Sequence, residues 1–175
     1  MSGMPFPPGW TLEPVRQTHP RRLFDCGEKA VNDWLRTKAL QHQSKRLSAT
    51  KVLVDADGGV AGFYTLATGQ IDFGDLPPAI ARTLPRRGLP VAVLAWLGVH
   101  AKHQGQNLGM QLLASALRDC HDAGKTFAFV AVIIDCVNDR AKTFYQRWDF
   151  AELPGHPYRL FLDARTLAAM MAHRG

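Results

Sequence analysis

The chain of 175 residues holds only three cysteines. Cys26, Cys120 and Cys136 lie far apart and form no C-x-x-C pair. Their odd number leaves one thiol over in any pairing, so a reducing compartment is expected rather than a disulfide framework. Long apolar runs are also missing. The longest, VAVLAWLGV (91–99), falls well short of the ~20 residues a helix needs to cross a bilayer. The start, MSGMPFPPGW, lacks the basic-then-apolar pattern of a secretory leader. A soluble cytoplasmic protein with no membrane partner is the expectation. Repeats and low-complexity tracts are absent as well. Neither G-x-x-x-x-G-K-[ST] nor G-x-G-x-x-G occurs, which argues against a P-loop nucleotidase and against a dinucleotide-binding fold. His100 and His103 form an H-x-x-H, but they fall in a predicted loop, where that spacing has no helical meaning. No Cys or carboxylate cluster accompanies them, so no metal is expected.

What is present suits one globular domain spanning 1–175, with a proline-rich start and first strand in 1–22 and a terminal helix in 164–175. Hydrophobic residues make up 46% of the chain, enough for one core and too few for two ordinary domains. The net charge of +6 and pI of 9.5 admit an anionic partner such as nucleic acid, CoA or an acidic protein, without selecting one.

WTLEPVRQ (10–17) reads as a short first strand. FDCGEKAVNDWLRTKAL (24–40) reads as a helix, since Ala30, Val31, Trp34, Leu35 and Ala39 recur at helical spacing. Thr50 to Ile71 forms a predicted β-hairpin turning at Asp57-Gly58-Gly59. The four prolines of 73–90 predict a loop with one short helical turn. The apolar run 91–99 reads as a central strand covered on both faces. LGMQLLASALRDCHDAG (108–124) is a helix whose stripe includes Leu112, Leu113, Leu117 and Cys120, with Gly124 as its stop. FAFVAVII (127–134) reads as a second buried strand. NDRAKTFYQRW (138–148) is a helix with Asn138 as N-cap and Ala141, Phe144, Tyr145 and Trp148 on its apolar side. YRLFLD and ARTLAAMMAH supply a last strand and the terminal helix. The order implies an α+β, α/β-like fold: a mixed central sheet flanked by helices.

HQGQNLG (103–109) lies between a strand and a helix and contains little that can pack a core. The first helical turn leaves backbone N–H groups without intrahelical partners, at the positive end of the helix dipole. A glycine-containing loop lets a pyrophosphate approach those donors. A glycine-bearing β-to-α turn that binds nothing is the other reading.

Gln104-Gly105-Gln106-Asn107-Leu108-Gly109 resembles the Q/R-x-x-G-x-G/A loop of GNAT-type N-acetyltransferases. The strand LAWLGV before it, and N-x-x-A-x-x-F-Y-x-x-x-x-F from Asn138 to Phe150, match that family's cofactor strand and tyrosine helix. FDCGEKAVNDWL, VAGFYTLATGQI and LAWLGVHAKHQGQNLGMQLLASAL further resemble the toxins of toxin–antitoxin pairs that acetylate aminoacyl-tRNA. The chain departs from the pattern at Asn107 and Asp149, where glycines are usual, and at Trp96 and Gly98, where the toxin subgroup has Arg and Ala.

The resemblance implies acetyl-CoA as acetyl donor. Its pyrophosphate would lie on residues 104–109 and its pantetheine along Leu97, Gly98 and Val99. Backbone N–H groups of that strand would act as the oxyanion hole. It also implies Tyr145 as the group that protonates the departing thiolate, whereas the residues alone read equally as an aromatic packed beside Phe144 and Trp148. Phe144 and Asn138 would contact the cofactor, Asn138 through the pantetheine amides, although an N-cap serves as well. An α-amine titrates near 7.7–8.0, so a dedicated base is unnecessary. The acceptor implied is aminoacyl-tRNA, with a ribbon-helix-helix antitoxin and a homodimer as partners. Lys38, Lys45, Arg46, Lys51, Arg86 and Arg87 are candidates for RNA phosphate contact, Arg86 and Arg87 foremost. A GNAT enzyme for a small amine, protein N-terminus or lysine, and a CoA-binding or protein-binding module without catalysis, remain alternatives.

Overall fold

The structure, a computed structural model, describes residues 5–173. Residues 1–4 of the proline-rich start and 174–175 of the terminal helix lie outside the described residues. Seven strands form a mixed sheet in the order β1-β2-β3-β4-β5-β7-β6. The chain divides into two compact units. The first comprises Met1–Ala67 with Ala95–Leu117, the second Thr68–Leu94 with Arg118–Gly175.

In the first unit, β1 (Thr11–Pro14) pairs antiparallel with β2 (Ala49–Val54), and β2 with β3 (Val60–Asp72). The hairpin turns where Asp57-Gly58-Gly59 predicts it, with Gly58 at φ 83°. The helix begins at Lys29 rather than Phe24 and is not uniform. Between α1 (Lys29–Asp33) and α2 (Ala39–Ser44) lies a π-helical turn, Trp34–Lys38. Its wider spacing lets Trp34, Leu35 and Ala39 all face the core, which they share with Phe24, Val31 and Phe63.

Trp34 stacks on Trp96 at 5.2 Å, and its indole N–H donates to Thr65 Oγ1. Thr65 in turn bonds the Thr50 hydroxyl across the hairpin. Two departures from the family pattern find their reason in this core. Trp96, one of the departures from the toxin-like pattern, completes the stack with Trp34. At Gly98 a Cβ would lie 2.9 Å from Val31 and 3.3 Å from Phe24 and Phe63.

β4 (Gly88–Val99) passes from the second unit into the first; within the second, Val91–Val93 run parallel to Ala131–Ile133 of β5 (Ala131–Asp135), and α4 (Leu108–Gly124) connects the two strands. β5 pairs antiparallel with β7 (His156–Asp163), and β7 with β6 (Ala151–Leu153). α3 (Pro78–Ala81) is the short helical turn of the proline-rich segment, α5 is Asp139–Gln146 and α6 is Ala164–Ala172. Leu89, Val91, Ala131, Ile133 and Phe161 form this unit's core.

Three expectations are corrected. β5 begins at Ala131, not Phe127. Phe127 is 80% exposed and its N–H closes the end of α4 on Ala123. Val130 meets Pro90, which has no N–H to return, so regular pairing starts one residue later. β6 has no counterpart in the reading of the sequence, because three residues are too few to show a period. The strand 91–99 is not covered throughout, since Trp96, Leu97 and Val99 are half-buried.

Candidate active site

The apolar run of β4 ends at Val99, and the next residues are tied down one by one. His100 N–H donates to Ala61 O at 2.8 Å and Ala101 N–H to Asp25 O at 2.7 Å. The His100 ring accepts from Lys102 N–H at Nδ1 and, in the tautomer this implies, donates from Nε2 to Leu23 O at 3.1 Å. Gln104 Nε2 donates to Cys26 O at 2.9 Å and to Val99 O at 3.0 Å. The side chain of Gln104 is therefore a strut within the first unit.

His103 faces the Asp55 carboxylate, Nε2 to Oδ2 3.4 Å, and meets the edge of Trp10 at 4.9 Å. Asp55 is buried. Burial raises its pKa, but hydrogen bonds from the Gly59 and Asp57 amides and from His103, with the charge of Lys102, bring the net shift below the usual carboxylate value. His100 and His103 are thus held by the backbone and by Asp55, and no group of three metal-ligating side chains occurs among the described residues.

Beyond these anchors the loop is exposed from Gln104 to Asn107. Gly105 has φ 81°, and no heavy atom would lie within 4 Å of a Cβ placed on it. Asn107 has φ 62°, the left-handed region that glycine takes freely and that Asn tolerates better than most residues. Gln111 N–H donates to Asn107 O at 3.1 Å. The amides of Leu108, Gly109 and Met110 precede this first intrahelical donor and have no acceptor within the helix. The Leu108 side chain is buried, which leaves its amide as the group it can offer a ligand. Leu97 and Val99 are half-buried and Gly98 is buried. All of these residues, 97–99 and 104–109, belong to the first unit.

The second unit carries the rest. Asn138, at φ −165°, caps α5: its Oδ1 accepts from Ala141 N–H at 2.9 Å. Tyr145 is 7% exposed and lies among aromatic rings, 5.2 Å from Phe144 and 5.9 Å from Phe150. Burial pushes the phenol pKa well above its ordinary value, and the nearby Cys136 thiol adds to the shift. Tyr145 is consequently a protonated hydrogen-bond donor at neutral pH. Asp149, just past the helix, has φ 69°. Arg86 and Arg87 are exposed, with the Arg86 guanidinium 5.6 Å from the centre of the Phe73 ring. Cys120 is buried and its thiol is pushed up to about 12, as for a core cysteine.

Asp55 was not distinguished by the sequence from any other hairpin-turn aspartate, and Trp34 and Trp96 showed only an apolar period. Their partners lie far along the chain.

Residues 48–152 match the acetyltransferase (GNAT) domain family. A tRNA-acetylating toxin of Mycobacterium tuberculosis is 36% identical over 147 residues, covering 82% of this chain and 87% of the toxin. AtaT complexed with acetyl-methionyl-tRNAfMet superposes with a TM-score of 0.85 at 24% identity, over 93% of this chain and 99% of AtaT. A Tyr-to-Phe mutant of the AtaT toxin, bound to the C-terminus of the antitoxin AtaR and to acetyl-CoA, superposes with a TM-score of 0.79 at 22% identity, over 93% and 98%. By the extent of the domain match and the identity to the mycobacterial toxin, the chain belongs to the GNAT acetyltransferase family.

Proposed function

We propose that this protein is a cytoplasmic acetyl-CoA-dependent toxin that acetylates the α-amine of aminoacyl-tRNA and so blocks translation. The two units act as one acetyltransferase domain. The observation that carries the reading is the exposed turn at 105–107, with Gly105 and Asn107 at positive φ, from which α4 starts with first amides that have no acceptor within the helix. A pyrophosphate fits there: Gly105 presents no side chain, Asn107 holds the turn, and the amides of Leu108, Gly109 and Met110 supply N–H donors at the positive end of a helix of 17 residues. Bound acetyl-CoA supplies the activated acetyl group. Residues 104–109 hold its phosphates, and the half-buried stretch 97–99 holds the pantetheine and offers backbone N–H to the thioester oxygen.

The acceptor amine needs no strong base, because the ester of aminoacyl-tRNA lowers the pKa of an α-amine already near 7.7–8.0. As its nitrogen bonds to the acetyl carbon, the carbon–sulfur bond breaks and the amine proton leaves to solvent. Tyr145 gives its phenolic proton to the departing thiolate and recovers one from solvent. The phenol is protonated at neutral pH and so has a proton to give. Phe144 and Asn138 would line the pantetheine. Arg86 and Arg87 are exposed on the proline-rich segment and would meet tRNA phosphates through sequence-independent charge. The likeness to a toxin seen with its antitoxin supports an antitoxin partner here; an antitoxin of the ribbon-helix-helix type and a homodimeric toxin belong to the proposal through the family resemblance.

Radiolabelled acetyl-CoA incubated with the protein and total aminoacylated tRNA tests the reading, with deacylated tRNA as control. Label on charged tRNA alone, released when the ester is hydrolysed, is the expected result. Label on a small amine or a protein instead would replace the acceptor. Acetyl-CoA binding without transfer to any amine would point to a non-catalytic module.

A further inference from the structure

The hairpin tip carries a charge that closing the turn does not require. Asp55 Oδ1 accepts the Asp57 and Gly59 amides, each at 2.9 Å, which is the usual work of an aspartate in such a turn. The side chain is nevertheless buried, with 5% of its surface exposed. Its other oxygen, Oδ2, lies 3.8 Å from Lys102 Nζ and 3.4 Å from His103 Nε2. Gly59 accommodates this placement, since a Cβ there would lie 3.1 Å from Oδ2. His103 is packed from another side by the edge of Trp10, and its own N–H closes the short turn on His100 O at 2.8 Å. The His100 ring lies 6.3 Å from that of His103.

Residue 103 is the last tethered by a side chain to a charged group before the exposed stretch 104–107. A negative charge buried beside an anion-binding loop repels phosphate unless a cation opposes it, and Lys102 Nζ faces Asp55 at 3.8 Å. The contact between His103 and Asp55 fixes the direction in which the loop leaves.

We propose that Asp55 and His103 form a positioning pair for the acetyl donor: through His103, the hairpin tip sets how tightly residues 104–109 hold the pyrophosphate. The inference rests on the reading of 104–109 as the donor loop. The pair touches neither the thioester nor the acceptor, so it acts on donor affinity and leaves the chemical step alone. Neither residue is a catalytic residue.

A double-mutant cycle on the full-length protein, read by calorimetric acetyl-CoA binding and by steady-state kinetics, tests the pair. His103→Ala should raise the acetyl-CoA Kd and KM about fivefold with kcat changed less than about twofold. His103→Phe keeps a ring against Trp10 and should behave like His103→Ala. His103→Gln restores an N–H donor and should recover most of the affinity. In an Asp55→Asn background, which keeps the acceptor for the turn amides, His103→Ala should have little further effect. An undiminished effect in that background would overturn the proposal by showing that His103 acts on the donor directly. Unchanged affinity in both His103→Ala and His103→Phe would overturn it too. Failure of the unaltered protein to bind acetyl-CoA would instead remove the donor-loop reading, and the pair with it. If His103→Ala does not fold, the contrast between His103→Phe and His103→Gln decides alone.

Discussion

Two strand-to-helix junctions of this protein solve the same backbone problem in opposite ways. Where β5 passes into α5, Asn138 adopts extended backbone and caps Ala141 N–H with its own side chain. Where β4 passes into α4, Asn107 occupies the left-handed region at φ 62°, which is not the conformation of an N-cap. The same residue type thus caps a helix start in one place and takes a left-handed turn before it in the other. The closed junction leads into a helix that buries Tyr145. The other follows a segment pinned by Gln104, His100 and His103, which hold its exposed turn in place ahead of amides that have no acceptor within the helix. An anion site needs this combination: a rigid approach and unspent donors.

The sharpest way to break the contrast is Tyr145→Phe, which removes one oxygen from the closed side. Acetyl transfer should fall by about 100-fold or more while the melting temperature stays close to that of the unaltered protein. A variant that transfers acetyl at the original rate would remove the proton-donor role.

Next in size is Gly105→Val on the open side. There is space for the side chain, but φ 81° is costly for a β-branched residue, by roughly 1–2 kcal/mol. The turn should shift, raising KM for acetyl-CoA about tenfold with much of kcat retained.

Asn138→Ala deletes the cap and should lower stability by about 1 kcal/mol in denaturant unfolding. Asn107→Gly should do the reverse on a smaller scale. It relieves a left-handed side chain and clears space over the loop, so KM for acetyl-CoA should fall by about twofold or less.

The places where this chain departs from its family pattern divide by how local their cause is. Asn107 and Asp149 replace glycines, and both sit at positive φ, 62° and 69°. Asn and Asp are the residues that best bear that conformation, so the survival of both turns was legible from residue type alone. Trp96 and Gly98 could not be read in this way. Trp96 matters because Trp34 lies flat against it, and Gly98 because Val31, Phe24 and Phe63 leave no room for a methyl group. The π-helical turn at Trp34–Lys38 belongs with them, since it serves the burial of Trp34, Leu35 and Ala39 together.

By itself the sequence determined the elements whose causes are short-range: α4 from Leu108 to Gly124, the hairpin turn at Asp57-Gly58-Gly59, the Asn138 cap, and the polar loop before α4. Helical period, turn chemistry and capping act over a few residues and are written there. Only the tertiary structure decided where β5 begins, because that depends on Pro90 in another strand, and that β6 exists at all, because three residues become a strand only through β7. It also decided that Gln104 is a strut and that Asp55 faces His103. Those bonds join residues far apart in the chain, and a contact of that kind leaves no mark on the local pattern of either partner.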